Sequence, residues 1–237
     1  MGYNKNDDAY ALIWAKKIKA INAKGGKCIN CSENDIFKLV FHHTIAKEKE
    51  AGINTIRFAR WSVIEKELDK CEVLCWNCHA ELHQEEISVD HRRAVLKQKL
   101  LEYKDIFRCE KCNYKGVNSS SLNFHHVKNK SFEVSQEAWK SKKFKKGTFE
   151  IEDRVLKELD KCEVLCANCH QTIHRDKERF ERLYPLIQSK LKNHKEYRKI
   201  DKEAVLALYT DGTRQIDIAK QLECNKSAIC YLVKKYA

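Results

Sequence analysis

Apolar and polar positions change period several times along this chain. In DAYALIWAKKIKAIN, residues 8–22, apolar side chains recur every three to four positions, the spacing of an amphipathic helix, and Gly25-Gly26 ends it. FKLVF (37–41) and SLNF (121–124) read as short strands, each running up to a pair of histidines, and CEVLC (71–75 and 162–166) reads as another short strand. WSVIEKELDK and IEDRVLKELDK return to the helical period, and further helices are predicted to begin at Cys78 and Cys169. Helical stretches follow at about 90–104 and 177–198, the second interrupted by Pro185, the chain's only proline. From residue 199 the pattern predicts three short helices, broken at Asp211-Gly212 and around Cys224-Asn225, with Ile218, Ala219, Leu222, Ile229 and Leu232 on their apolar side.

The pattern is itself repeated. ELDKCEVLCWNCHAELH, residues 67–83, returns as ELDKCEVLCANCHQTIH, residues 158–174, with thirteen of seventeen positions unchanged. Upstream, CINC (28–31) and VFHHT (40–44) are matched by CEKC (109–112) and NFHHV (123–127). Each copy therefore reads CxxC, HH, CxxCHxxxH. The second copy has two more residues between its first cysteine pair and HH, and eight more between HH and its second pair. Fixed motif spacings separated by variable intervals predict loops of different length on a common frame.

Composition narrows the class. With 43% apolar and 34% charged residues among 237, the chain reads as globular rather than disordered. No apolar run approaches membrane-spanning length, the start lacks the apolar core of a secretory leader, and Asn6 stands where a myristoylation signal needs Ser or Thr. The expectation is a cytoplasmic protein without a membrane partner, in which twelve cysteines serve as metal ligands rather than disulfides. A net charge of +12 predicts a polyanionic partner, nucleic acid first, against the alternative of a solubilising surface.

Two CxxC knuckles complete a tetrahedral zinc site, so Cys28, Cys31, Cys75 and Cys78 form one predicted structural site and Cys109, Cys112, Cys166 and Cys169 the other. Redox-active pairs would not need to come in fours. Zinc suits a unit of this size, whose few short elements bury little apolar surface. Cys71 and Cys162 fall outside the sets and are expected as packed thiols, with Cys224 and Cys230 in the core of the tail. Eight of the ten histidines lie in the repeated motif, and the four-residue spacing of His79 and His83, and of His170 and His174, puts each pair on one helix face, where both can meet one ion.

At these residues the chain resembles the HNH, or ββα-metal, endonucleases, in the cysteine-bearing form common among phage-encoded members. The resemblance covers residues 28–83 and 109–174. It implies that His42 and His125 are ligands of a divalent catalytic ion, that the adjacent His43 and His126 are general bases, and that His79, His83, His170 and His174 complete the ligand sets. It also implies hydrolysis of DNA phosphodiesters to 5′-phosphate and 3′-hydroxyl ends by a single-metal mechanism, with Mg2+, Mn2+ or another transition ion in each unit. The family's middle asparagine would align near Lys70 and Lys161, neither of which is asparagine. Asn77 and Asn168 are the nearest substitutes for bracing the base, and are better placed to cap the helix that follows them.

The predicted fold is α+β: two tandem ββα-metal domains, each with a four-cysteine zinc site and connected by helices, plus a small all-α helix-turn-helix domain. The boundaries are 1–107 for the N-terminal helix, first unit and trailing helix, 108–198 for the second unit and its trailing helix, and 199–237 for the helix-turn-helix, which an ordinary three-helix cap would equally satisfy. Candidate DNA contacts are Arg57, Arg60 and Trp61 in the first unit, Lys140, Lys142, Lys143, Lys145 and Lys146 in the second, and Lys226, Ser227 and Tyr231 on the last helix. The implied partner is double-stranded DNA and the implied function its double-strand cleavage by a monomer, one unit per strand, in a homing role first and a restriction or anti-phage role second. A nickase and a non-catalytic zinc-stabilised DNA-binding protein are the alternatives.

Overall fold

The computed structural model describes residues 4–86, 91–140, 150–192, 201–222, 224 and 226–236, and is a mixed α+β structure with two small two-stranded sheets. It divides into two compact units, Met1–Gln188 and Ser189–Ala237, so both repeats lie in the first.

The first repeat begins with α1 (Lys5–Ala23), capped by the Asn4 side chain on the Asp7 N–H. Strand β1 (Leu39–His43) follows, then α2 (Trp61–Leu68), strand β2 (Cys71–Cys75) and α3 (Trp76–Glu86). The second repeat follows the same order with one added helix between its strands: α4 (His91–Lys104), β3 (Leu122–His126), the added α5 (Val134–Lys140), α6 (Asp153–Leu159), β4 (Cys162–Cys166) and α7 (Ala167–Ile173). Each sheet is an antiparallel pair with the same register, Leu39 opposite Cys75 and His43 opposite Cys71 in one, Leu122 opposite Cys166 and His126 opposite Cys162 in the other.

Both strands of the histidine pair run further than the apolar pattern predicts, because HH itself joins the ladder opposite the CE of CEVLC. Both following helices start two residues earlier than expected. The thiol of Cys75 accepts from the Cys78 N–H at 3.5 Å and that of Cys166 from the Cys169 N–H at 3.4 Å. The last strand cysteine thus satisfies a free amide of the first helical turn.

The cores match residue for residue. Ile21, Cys28, Leu39, Val73, Leu74 and Cys75 form the first, and Leu101, Cys109, Leu122, Val164, Leu165 and Cys166 the second. Helix α4, grouped by sequence order with the first repeat, packs in the second, where Leu96 and Leu100 meet Val134, Val155 and Leu159. Helix α8 (Lys177–Lys192) continues through Pro185, with Phe180, Leu183 and Ile187 buried on either side of it. It also returns to the first repeat: Phe180 meets Trp14 at 4.8 Å and Phe37 at 4.9 Å edge to face, and Arg179 pairs with Asp7 at 3.1 Å.

In the second unit, α9 (Lys202–Thr210), α10 (Gln215–Gln221) and α11 (Lys226–Tyr236) close on Val205, Ile218, Ala219, Ile229 and Val233. Leu222, Leu232 and Cys224 pack partly buried around them. Gly212, with φ of +82°, ends α9 in the left-handed conformation that favours glycine. No helix among the described residues is long and apolar enough to cross a membrane.

Candidate metal centres and active site

Each CxxC turn is held to the second strand of its own sheet. The Ile29 N–H donates to the Val73 carbonyl and the Glu110 N–H to the Val164 carbonyl, while Ser32 and Asn113 close the turns at φ of 62° and 60°. The four thiols of Cys28, Cys31, Cys75 and Cys78 come together within 4.8 Å of one another, as do those of Cys109, Cys112, Cys166 and Cys169. Burial pushes the Cys31 and Cys166 thiols up to about 11, so ionising them calls for a nearby cation. Four converging soft sulfurs with that requirement can hold a structural ion such as zinc. Cys71 and Cys162 are buried outside the sets, and the Cys71 thiol donates to the Glu67 carbonyl at 3.2 Å.

The histidine pair divides between two faces because successive strand residues point to opposite sides of a sheet. His42 turns toward α3, where its ring lies 5.4 Å from that of His79 and 5.0 Å from that of His83. In the second repeat His125 stands 5.4 Å from His170 and 5.3 Å from His174. The Nε2 atoms of His79 and His83 are 3.2 Å apart, those of His170 and His174 3.3 Å, and each triad keeps its donor atoms within 4.8 Å. Burial, reinforced by the neighbouring imidazoles, lowers His79 and His170 to about 4. Both rings are therefore neutral near pH 7 and offer a lone pair, the form in which imidazole binds a cation.

His43 and His126 face the other way, onto a residue that the sequence reading left out. The Nε2 of His43 lies 2.8 Å from the Glu67 carboxylate, and that of His126 lies 3.1 Å from Glu158. Glu67 also takes the N–H groups of Glu50 and Ala51 and the Lys70 ammonium at 2.9 Å, while Glu158 takes the Ser131 N–H at 2.7 Å and Lys161 at 2.6 Å. Lys70, then the buried setting it overcomes, holds the Glu67 carboxyl down at about 2, and Lys161 does the same for Glu158. An ionised carboxylate only accepts, so each histidine must donate from Nε2, which leaves Nδ1 with the lone pair of the neutral ring.

Glu67 with Lys70, and Glu158 with Lys161, thus brace the loop after the first strand and the histidine together. Lys70 also reaches the Glu48 carbonyl and the Glu50 carboxylate, and Lys161 the Asn129 carbonyl and Ser131 hydroxyl. Asn77 and Asn168 do neither of the tasks expected of them. Asn77 Oδ1 accepts from the Asn168 N–H at 2.9 Å and Asn168 Oδ1 from the Asn77 N–H at 3.2 Å, so each caps the other repeat's helix instead of its own. A repeated acid in ELDK, adjacent to no motif, reads as a solvated helix end; its recurrence at the same distance from HxxxH was the available signal.

A cavity of about 600 Å³ opens beside the first triad, bordered by His42, His43, His79, Lys49, Arg57 and Trp76. Of the proposed DNA contacts, Arg57 and Arg60 are exposed, and Arg57 is tied to the Asn54 carbonyl at 2.6 Å. Trp61 is half-buried, set against Ala20, Ile64 and Leu68 with the Lys19 ammonium 4.2 Å over its ring. Lys140 is exposed, and Lys142, Lys143, Lys145 and Lys146 lie outside the described residues. In the separate C-terminal unit Lys226 is exposed and Tyr231 is 60% exposed, while the Ser227 side chain is outside the description.

No family model, curated protein or solved structure matches this chain.

Proposed function

We propose that this protein is a metal-dependent DNA endonuclease of the HNH type, with two active units that each cut one strand. The observation that carries the reading is the division of the HH pair, made identically in both repeats, between a three-imidazole cluster and a carboxylate-held histidine. A binding protein needs neither.

A divalent ion held by His42, His79 and His83, or by His125, His170 and His174, would supply Lewis acidity toward a phosphate oxygen. Nδ1 of His43 or His126 takes the proton of the attacking water. The Glu67 and Glu158 carboxylates fix the donating tautomer and offset the imidazolium charge as it forms. The four-cysteine sites, taken as zinc, hold the strand-to-helix turn that aims the histidines. Net charge of +12, with Lys49 and Arg57 around the first site, favours the phosphate backbone, and the C-terminal three-helix unit is read as a helix-turn-helix that adds site affinity through Lys226 and Tyr231.

The test is incubation of the purified chain with supercoiled plasmid and candidate genomic DNA in Mg2+ or Mn2+, followed by sequencing of the ends. Linear product with 5′-phosphate ends supports two active units, and persistent nicking assigns one unit to binding. Retarded but uncut DNA with either ion would replace the nuclease with a zinc-stabilised binding protein.

A further inference from the structure

Helix α3 carries His79 and His83 on the face toward β1, and Glu81 on the face turned away. That carboxylate is 8% exposed and leaves its own repeat. Its Oε1 accepts from the Tyr114 hydroxyl at 3.0 Å, the Val117 N–H at 3.1 Å and the Ser121 hydroxyl at 2.9 Å, and its main-chain carbonyl takes the Asn118 amide at 3.4 Å. All four donors belong to one loop of the second repeat.

That loop is built on the second cysteine set. It leaves the knuckle just after Cys112, and the Tyr114 carbonyl accepts the Cys109 N–H at 2.9 Å. The half-buried Lys97 of α4 fixes its far end by donating to the Ser120 carbonyl at 2.8 Å. Its fit around Glu81 leaves no spare room. A Cβ on Gly116 would stand 2.4 Å from Glu81 Oε1 and 2.9 Å from the Asn118 carbonyl. Burial first, and then the bond to Glu81, raise the Tyr114 phenol, which keeps it a donor.

Among the described residues nothing equivalent runs the other way. Position 172, the counterpart of Glu81, is threonine, and its hydroxyl donates to the Asn168 carbonyl of its own helix at 2.8 Å. The counterpart of Tyr114 is Glu33, whose carboxylate accepts from Asn34, Asp35 and Lys38 within its own loop.

We infer that Glu81 is a positioning residue through which the second repeat's cysteine loop sets the first repeat's histidine triad, in one direction only. The inference concerns metal binding directly, and strand cutting insofar as the proposed nuclease function holds. A carboxylate bonded directly to a ligand histidine contributes about 10- to 100-fold in metal affinity; Glu81 bonds neither imidazole and acts through the placement of α3, so the lower end of that range is its ceiling.

The experiment is a cobalt(II) titration of the zinc-loaded full chain, read by visible absorbance, in two backgrounds. His170→Ala with His174→Ala leaves the first triad, and His79→Ala with His83→Ala leaves the second. Glu81→Gln is expected to weaken the first triad about tenfold and leave the second within twofold. Tyr114→Phe, a change within the second repeat, is expected to act on the first triad in the same direction, and Thr172→Ala to leave the first triad as it is. In the chain with all histidines intact, Glu81→Gln should slow only the strand that His43→Ala leaves uncut, the one assigned to the first unit. Equal weakening of both triads reduces Glu81 to an interface residue and overturns the inference, as does an unchanged first triad. If the unaltered chain cuts no DNA, the nuclease reading fails while the titration still decides this one.

Discussion

The two repeats agree at every metal donor and at both histidine–glutamate pairs, and disagree around them. Trp76 in the first corresponds to Ala167 in the second, and Glu81 to Thr172. Trp76 helps wall the cavity beside the first triad, its ring 5.9 Å from that of His79, where the second repeat offers only a methyl group. The residues held constant are those that the proposed reaction on phosphate would use. Those that differ govern what surrounds the reaction and which repeat leans on which, so the copies are equivalent in chemistry and not in context.

Removing a knuckle is the harshest way to break the comparison. Cys109→Ser with Cys112→Ser should abolish the second unit and also cripple the first, through the loop that holds Glu81, whereas Cys28→Ser with Cys31→Ser should cost mainly the first. Strand-resolved cleavage and zinc content measure both; equal damage from the two variants would contradict the asymmetry. Next in size, His43→Ala and His126→Ala should each slow one strand by about 10²- to 10⁴-fold and leave nicked plasmid, on opposite strands, with the double variant binding DNA without cutting.

A smaller effect, expected to be the same in both repeats, follows from the paired carboxylates. Glu67 and Glu158 are held at about 2 in the folded chain, below their ordinary 4.5. Their contribution to stability is complete above about pH 4.5 and is lost as pH falls toward 2, when the folded state must take up protons it binds weakly. Urea midpoints between pH 6 and 3 should fall less steeply in Glu67→Gln than in the parent. An unaltered slope would show that other groups carry the acid sensitivity. Smallest is Asn77→Ala, worth about 1 kcal/mol as a lost cap. Because Asn77 caps α7, faster amide exchange should appear at Asn168 in the second repeat, and Asn168→Ala should expose Asn77 in turn.

The metal donors were legible because CxxC and HxxxH are local spacings whose meaning does not depend on how the chain packs. Cys75 and Cys166 were read as ligands, but their second use, as caps on the Cys78 and Cys169 amides, is a side-chain property invisible to periodicity and moved both helix starts by two residues. Glu67 was passed over because an acid at a helix end is usually solvated. Only the turn that brings α2 beneath His43 gives it another meaning. Helix α4 was assigned by its neighbour in sequence, although a connecting helix can pack on either side, and Leu96 and Leu100 choose the second core. Pro185 was read as a break. The buried side chains flanking it keep α8 continuous without that one amide.

The reciprocal bond between Asn77 and Asn168 is a self-complementary contact: the same residue, using the same two atoms, on both sides. Such an isologous contact is what a homodimer of single units would make. In a homodimer every substitution appears twice, so an indole at one site and a methyl at its twin cannot coexist. Joining the two repeats in one chain keeps the symmetric seam and lifts that restriction, so that, under the proposed function, a single molecule would present unlike surroundings to the two strands of an asymmetric target.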